Sequence, residues 1–387
     1  MKKKIIILGS TGSIGSSTIK IINRDKNQFE VTLLTANKNY KKLFLQAKKT
    51  KCKNIVIHNK EKYFEALVKN NNLKLKIFNS MNDFLKKSKH KVDYTMSAIT
   101  GIAGLQPTID IIKVSKNLAI ANKESIICGW NLIEKEMTKY NSKFIPVDSE
   151  HFSILSLIKD YEKSQIETIF ITASGGPFLN LPKIKFKKIT SDRAVKHPNW
   201  KMGKKISIDS STLMNKVFEV IEAKKIFDFS YNKVKILIHQ KSYVHAIVKF
   251  KNGLTKMLIH DTNMKIPIFN SFYSNFEKKI KTKNLDVSVL SNLNFKKVDS
   301  VKFPVVEILK KLPHNDSLFE TVIVSANDKL VDLFLKKKIK FNQISTFLLK
   351  IIKMKEFTKF KRFKVKNIDE ILKLNSYVSL KIDNLTI

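Results

Sequence analysis

Two carboxylates two residues apart, Asp148 and Glu150, are the side chains of this sequence best suited by type to chemistry. They stand in Pro146-Val147-Asp148-Ser149-Glu150-His151, just after the apolar pair Phe144-Ile145, so the stretch reads as the exit of a buried strand. Side chains alternate along a strand, which would point Asp148 and Glu150 to one face. Neighbouring carboxylates repel each other and are costly to bury, so a divalent cation, a basic partner or open water must compensate them. Taken alone, such a pair most often marks a solvated loop.

Other stretches carry chemistry by type. Gly9-Ser10-Thr11-Gly12-Ser13-Ile14-Gly15 lies between the β-branched run Lys4 to Leu8 and a helical pattern from Ser16 to Ile22. Strand, glycine turn and helix are the context of a dinucleotide fingerprint, with helix N–H groups aimed at a pyrophosphate. After the next strand, Val31 to Thr35, stands Ala36-Asn37-Lys38-Asn39. A lysine where NAD-binding units commonly place an acid suits the extra phosphate of NADP, although one more surface lysine is the plain alternative. Asn122-Lys123-Glu124-Ser125 follows a further strand, where ligands of parallel sheets bind. Ser174-Gly175-Gly176 can open backbone N–H groups toward an anion. His197-Pro198-Asn199-Trp200 lies in a polar, basic loop over about 190–205, and an exposed Trp there suggests a cover over something. Asn215, Lys216 and Glu219 share one side of a capped helix over 210–219, with Lys216 and Glu219 readable as a solvated charge pair.

The elements that must position these residues alternate. Strands at 54–57, 75–78, 92–96 and 118–121 are separated by helical segments, which predicts a doubly wound parallel sheet. A helix over 151–160 leads to strands at 167–172, 233–239 and 244–250, with Asn252-Gly253 as a hairpin turn before 254–259. From about residue 300 the pattern is helical, over 301–312 and 317–335.

The 387 residues suit two or three domains, and 43% hydrophobic residues suffice for real cores. The net charge is +40, yet only Arg24, Arg193 and Arg362 of the 73 basic residues are arginine. Lysine spread evenly argues against specific nucleic-acid recognition, which clusters charge and favours arginine, while still attracting anionic small molecules. Cys52 and Cys128 give neither a disulfide framework nor metal-ligand spacing. The apolar run after Lys2-Lys3-Lys4 is too short for a signal peptide and nothing approaches a membrane span. The expectation is a soluble cytoplasmic protein with no cleaved leader and no membrane partner.

Taken together, the motifs resemble those of the 1-deoxy-D-xylulose 5-phosphate reductoisomerase family. The glycine turn, Ala121-Asn122-Lys123-Glu124-Ser125, the 146–151 stretch, Ser174-Gly175-Gly176-Pro177-Phe178, His197-Pro198-Asn199-Trp200 with Met202-Gly203, and Met214-Asn215-Lys216 with Glu219 match in order and at family-like spacing. The resemblance covers essentially the whole chain. It implies an enzyme that rearranges 1-deoxy-D-xylulose 5-phosphate and reduces the aldehyde intermediate to 2-C-methyl-D-erythritol 4-phosphate, using NADPH and Mg²⁺ or Mn²⁺, with Co²⁺ as a further option. It implies that Asp148, Glu150 and Glu219 hold the metal, and that Lys123, Ser149 and Glu150 contact substrate near it. Ser174, Ser210, Asn215 and Lys216 would bind the phosphate end, with His197 reaching substrate from a mobile loop. Lys123, Asp148, Glu150, His197 and Glu219 would form the catalytic set. Thr11, Gly12, Ser13, Ile14, Asn37, Lys38, Asn39, Asn122, Glu124 and Gly203 would bind NADPH. The implied architecture is α/β: an N-terminal Rossmann-like NADPH-binding domain over 1–147, an α+β catalytic domain over 148–285, a linker over 286–300 and a C-terminal helical domain over 301–387. A homodimer is also implied.

The chain departs from the family at Asn37, usually glycine, and at His239-Gln240-Lys241-Ser242, His260-Asp261-Thr262-Asn263-Met264-Lys265 and Ala326-Asn327-Asp328. Two other readings compete. A short-chain-dehydrogenase-like reductase would use a Tyr-x-x-x-Lys pair, present at Tyr231/Lys235 and Tyr377/Lys381 but expected by chance in so lysine-rich a chain. A basic nucleic-acid-binding protein would use the charge alone.

Overall fold

A computed structural model describes residues 1–70, 74–88, 90–200, 202–273, 278–284 and 286–386. The chain forms two compact units. Met1–Ile126, Asn131–Asp148 and Met264–Ile280 make the first; Ile127–Trp130, Ser149–Asn263 and Lys281–Ile387 make the second.

The first unit is built on seven strands: β1 (Lys3–Leu8), β2 (Phe29–Ala36), β3 (Asn54–Ile57), β4 (Lys76–Phe78), β5 (Tyr94–Ser97), β6 (Asn117–Ile120) and β7 (Lys143–Pro146). All pair in parallel, in the order β4-β3-β2-β1-β5-β6-β7. Their β-branched runs are buried on both faces, as parallel strands under helices require, and Ile5 to Leu8 are wholly inaccessible. The strand order reverses between β1 and β5, which opens a crevice beyond the carboxyl end of β1 where the glycine turn lies.

The second unit carries a five-stranded mixed sheet of β8 (Ile166–Ala173), β9 (Val234–Ile238), β10 (Val244–Phe250), β11 (Thr255–Ile259) and β12 (Lys296–Lys297), in the order β11-β10-β8-β9-β12. Helices Ser149–Ile158 and Met214–Phe227 share an apolar core with it, through Ile154, Val220 and Ala223 against Ile169, Ile171 and Val248.

The α/β class with a Rossmann-like sheet and a helical C-terminal region agrees with expectation. The division into domains differs in three ways. Residues 264–280 belong to the first unit, because Ile268 and Phe272 of helix Lys265–Phe272 pack into its core and Phe272 stacks near Tyr94 and Phe29. The 286–300 segment is no linker: β12 pairs antiparallel with β9. The C-terminal helices join the second unit, because Phe334 and Phe341 complete one aromatic cluster with Phe178, Phe186 and Phe303. The boundary residue 285 lies outside the described residues.

Local expectations also shift. Residues 304–311 form a 3₁₀ helix within the helix expected over 301–312. The expected single helix over 210–219 is two, Lys204–Thr212 and Met214–Phe227, broken at Leu213 with φ 65°. Cys52 and Cys128 are buried and form no disulfide. Among the described residues no helix is long and apolar enough to cross a membrane. Tyr377 and Lys381 sit on helix Ile368–Thr386, where both contact Glu356, a surface cluster rather than a dehydrogenase pair.

Candidate active site

In the first unit the expected nucleotide-binding residues follow the carboxyl ends of β1, β2 and β6. Gly9 has φ +70°, and a Cβ there would come 2.7 Å from the Ala98 carbonyl oxygen, so only glycine fits. A Cβ on Gly15 would come 2.5 Å from the Gly9 oxygen, so the turn folds back upon its helix. Ser10 and Gln46 lock it with reciprocal bonds: the Ser10 hydroxyl donates to Gln46 Oε1 at 2.8 Å and Gln46 Nε2 donates to the Ser10 carbonyl at 2.9 Å. Thr11, Gly12, Ser13 and Ile14 are thereby fixed at the start of helix Ser13–Ile22, whose N-terminal N–H groups suit a pyrophosphate. Asn37, Lys38 and Asn39 are exposed after β2, and Asn39 caps the next helix. Lys42, which sequence reasoning missed, donates to the Thr11 carbonyl at 2.7 Å and adds a cation to the turn. Asn122 caps helix Lys123–Tyr140 through the Ser125 N–H at 3.0 Å and donates to Gly101 O at 2.7 Å. Glu124 is buried beside it. Gly203 belongs instead to the second unit, at the N-cap of helix Lys204–Thr212.

Lys123 and Asp148 meet at the ends of β6 and β7 in an ion pair. The strand-face argument for Asp148 and Glu150 fails, because β7 ends at Pro146 and Ser149 and Glu150 open helix Ser149–Ile158. An acid in a first helical turn, here Glu150, is favoured by the dipole. Carboxylate oxygens of Asp148, Glu150 and Glu219 lie within 4.8 Å of one another. Asp148, His151 and Glu222 form a second such group. The all-carboxylate group offers the hard oxygen donors that Mg²⁺ and Mn²⁺ prefer; the mixed group suits softer ions.

Lys216 and Glu219 are not a solvated pair: they are 7% and 1% exposed. The Lys216 ammonium bridges Glu150 and Glu219, and Asn215 donates to the same Glu219. Burial pulls the Lys216 pKa down, but Glu150 and Glu219 outweigh it and hold the amine protonated above the ordinary lysine value. Ser149 donates to Glu150 at 2.6 Å. His151, quoted in the motif but given no role from sequence, is buried and donates to the Glu219 carbonyl at 2.9 Å.

The anion end is equally built. His197 Nδ1 accepts from the N–H groups of Asn199 and Trp200 at 3.1 and 3.0 Å, so the neutral ring carries its proton on Nε2. That N–H donates to the Ser174 hydroxyl at 2.9 Å, and Ser174 also accepts from Gly176 N–H at 3.0 Å. With two donors on its oxygen, Ser174 keeps its own proton for a ligand. Gly176, φ +67°, backs onto Ser210 and Ser211: a Cβ there would come 2.9 Å from Ser211 Cα and 3.0 Å from the Ser210 oxygen. Burial, aided by Lys216, lowers the His197 pKa to about 4, so the ring is neutral at pH 7. Trp200 is half-buried rather than exposed and meets His245 edge-on at 5.9 Å between ring centroids. His245 in turn stacks on His260 at 3.6 Å and is pushed to about 3 by burial and by His260. Lys201, within the loop expected to be mobile, lies outside the described residues.

Known proteins bear on this arrangement. Residues 5–129 match the family model of 1-deoxy-D-xylulose 5-phosphate reductoisomerase, residues 144–227 that of its C-terminal domain, and residues 260–379 that of the DXP reductoisomerase C-terminal domain. The 1-deoxy-D-xylulose 5-phosphate reductoisomerase of Pelagibacter ubique is 58% identical over 387 residues, covering 100% of both chains. The one from Clostridium novyi is 35% identical, covering 99% of both. The Zymomonas mobilis enzyme in complex with NADPH superposes with a TM-score of 0.88 at 29% identity, covering 100% of this chain and 99% of that one. A DOX-P reductoisomerase in complex with NADPH, fosmidomycin and magnesium gives 0.90 at 28% identity, covering 99% and 98%. A whole-length relative at this identity, with three family models in register, means that the chain belongs to the 1-deoxy-D-xylulose 5-phosphate reductoisomerase family.

Proposed function

We propose that Lys123, Asp148, Glu150 and Glu219 form the reacting end of the site, and that Ser174, His197, Ser210, Asn215 and Lys216 form its phosphate end. The reaction is the family's: 1-deoxy-D-xylulose 5-phosphate is rearranged and reduced to 2-C-methyl-D-erythritol 4-phosphate with NADPH and a divalent cation. The observation that carries the reading is the buried pair of carboxylates Glu150 and Glu219, drawn together on Lys216 in the second unit. Lys216 and Lys123 already offset part of the negative charge of the three carboxylates, whose oxygen donors fit Mg²⁺, Mn²⁺ or Co²⁺. When bound, the cation supplies Lewis-acid stabilisation of the substrate's oxygens, and NADPH supplies the hydride.

The chain's own residues do the rest. Lys123 offers its ammonium to the negative charge that develops as the carbon skeleton cleaves and rejoins. Ser149 orients the Glu150 carboxylate. The Ser174 hydroxyl, accepting from His197 and Gly176, has its own proton left to donate to a phosphate oxygen, and Asn215 and Lys216 would add N–H donors from one helix turn. His197 and Trp200 cover the site against water, which protects an aldehyde intermediate. Thr11, Gly12, Ser13, Ile14, Asn37, Lys38, Asn39, Asn122, Glu124 and Gly203 bind NADPH, with Lys38 beside the 2′-phosphate. We further infer a homodimer that works in the cytoplasm and recognises no specific nucleic acid.

One assay tests the reading. NADPH oxidation should require both 1-deoxy-D-xylulose 5-phosphate and Mg²⁺ or Mn²⁺, and Glu219→Gln should lower kcat about a hundredfold or more. Activity in excess chelator, or full activity of the variant, refutes the metal assignment. Salt-sensitive DNA retention without NADPH oxidation would favour the nucleic-acid reading instead.

A further inference from the structure

Asp209 immediately precedes Ser210 and is 2% exposed. A buried carboxylate costs several kcal/mol unless it is fully paired, so its retention calls for a reason. Both of its oxygens are engaged. Oδ1 accepts from Asn327 Nδ2 at 2.8 Å, and Oδ2 pairs with Lys205 at 2.9 Å, one turn earlier on the same helix. Lys205 also reaches Asp328 Oδ1 at 2.9 Å and lies 5.1 Å from the centre of the Phe218 ring. Asn327 is fully buried, and its Oδ1 has no hydrogen-bond partner among the described residues. An apolar residue would avoid that cost, so the amide is retained for the bond to Asp209.

The helix held in this way needs holding. It ends at Thr212, two residues after Ser210, and Leu213 breaks it with φ 65°. A last turn frays unless tied, and a rotation there would move Ser210, whose backbone lies against Gly176. Ser211 ties the turn on another side, donating to Ala194 O at 3.0 Å, and Gly176 backs it on a third. The Asp209–Asn327 bond, like the Lys205–Asp328 pair, reaches helix Phe319–Leu335 of the C-terminal region.

We propose that Asp209, held by Asn327 and by the Lys205–Asp328 pair, is a positioning residue that sets the direction of Ser210 toward the substrate phosphate. The inference rests on the reading of Ser210 as a phosphate ligand. It gives Asn327, and Asp328 where the chain carries Asp in place of the Glu of the family's Ala-Asn-Glu, a role in substrate affinity.

The test is steady-state kinetics with saturating Mg²⁺, alongside thermal unfolding, on Ser210→Ala, Asn327→Ala, Asn327→Asp, D209N/N327D and Asp328→Asn. Asn327→Ala and Asn327→Asp should raise KM for 1-deoxy-D-xylulose 5-phosphate about tenfold, the scale of one lost bond to a buried charge, with KM for NADPH unchanged. The double exchange keeps one amide against one carboxylate and should return KM to within about threefold of wild type. A purely structural tie would lower Tm and the active fraction and leave KM alone, and that outcome overturns the proposal. So does a folded double exchange no better than Asn327→Asp. If Asn327→Ala does not fold, Asp328→Asn decides, since it weakens the hold on Lys205 and leaves the Asp209–Asn327 bond in place: a KM rise supports the proposal and an unchanged KM overturns it. Ser210→Ala separates the two claims. An unchanged KM there removes the phosphate reading itself, whereas a raised KM with inert Asn327 and Asp328 variants removes only this inference.

Discussion

At the scale of single residues, His197 shows how a side chain's surroundings select its state. Two backbone N–H groups occupy Nδ1, so a second proton has no place there without breaking both bonds. The pKa near 4 lies below the ordinary histidine value of 6.5, so between these values the unfolded chain binds a proton that the folded chain refuses. Stability contributed by neutral His197 is therefore present above pH 6.5 and lost as pH falls through about 4. His197→Asn should flatten the fall of Tm between those limits, measured as wild type minus variant at each pH; parallel curves would show that His197 does not titrate in this window. The motif residues were legible in the sequence because turn, strand end and helix start each leave a pattern. Asp209 was not, since a lone acid among serines carries no spacing that distinguishes a buried anchor from a surface charge. Lys216 misled for the same reason: an i, i+3 pair with Glu219 looks alike in water and in the interior, and only Glu150, distant in sequence, shows it is buried.

At the scale of elements, the strand-to-helix switch after Pro146 and the break at Leu213 do the positioning that the sequence pattern smoothed over. The 210–219 stretch is helical in composition throughout, and one αL residue redirects it so that Ser210 and Asn215 lie on different helices. The loop after β8 is the third such device. Because the left-handed φ of Gly176 is combined with contact to the backbone at 210–211, Gly176→Ala must shift that turn. We expect KM for 1-deoxy-D-xylulose 5-phosphate to rise about tenfold or more, KM for NADPH to stay put, and stability to fall by about 1–3 kcal/mol. Equal changes in both KM values would place the damage elsewhere. Strand existence was legible almost everywhere, because β-branched runs bounded by glycine or asparagine leave few alternatives; helix breaks were not, because they depend on a single dihedral.

At the scale of the whole molecule, the net charge of +40 sets the solution behaviour. Self-repulsion among lysines opposes the compact state, and salt screens it. Tm should therefore rise as NaCl goes from about 10 mM to about 150 mM, a range over which the Debye length falls from about 30 to about 8 Å; a flat or falling Tm would mean that the ion pairs matter more than the excess charge. The division into two units rather than three was hidden because it depends on aromatic contacts between residues such as Phe178 and Phe341, far apart in sequence. The discontinuity of the first unit has a consequence in time. Its core needs Ile268 and Phe272, yet the stretch from Ser149 to Asn263 must be synthesised between them and the rest. At ribosomal speeds that interval is on the order of ten seconds, during which Phe29 and Tyr94 lack the helix that covers them. The nascent chain thus carries an unfinished nucleotide-binding core while the second unit is being made, and that interval is when a holdase would matter most.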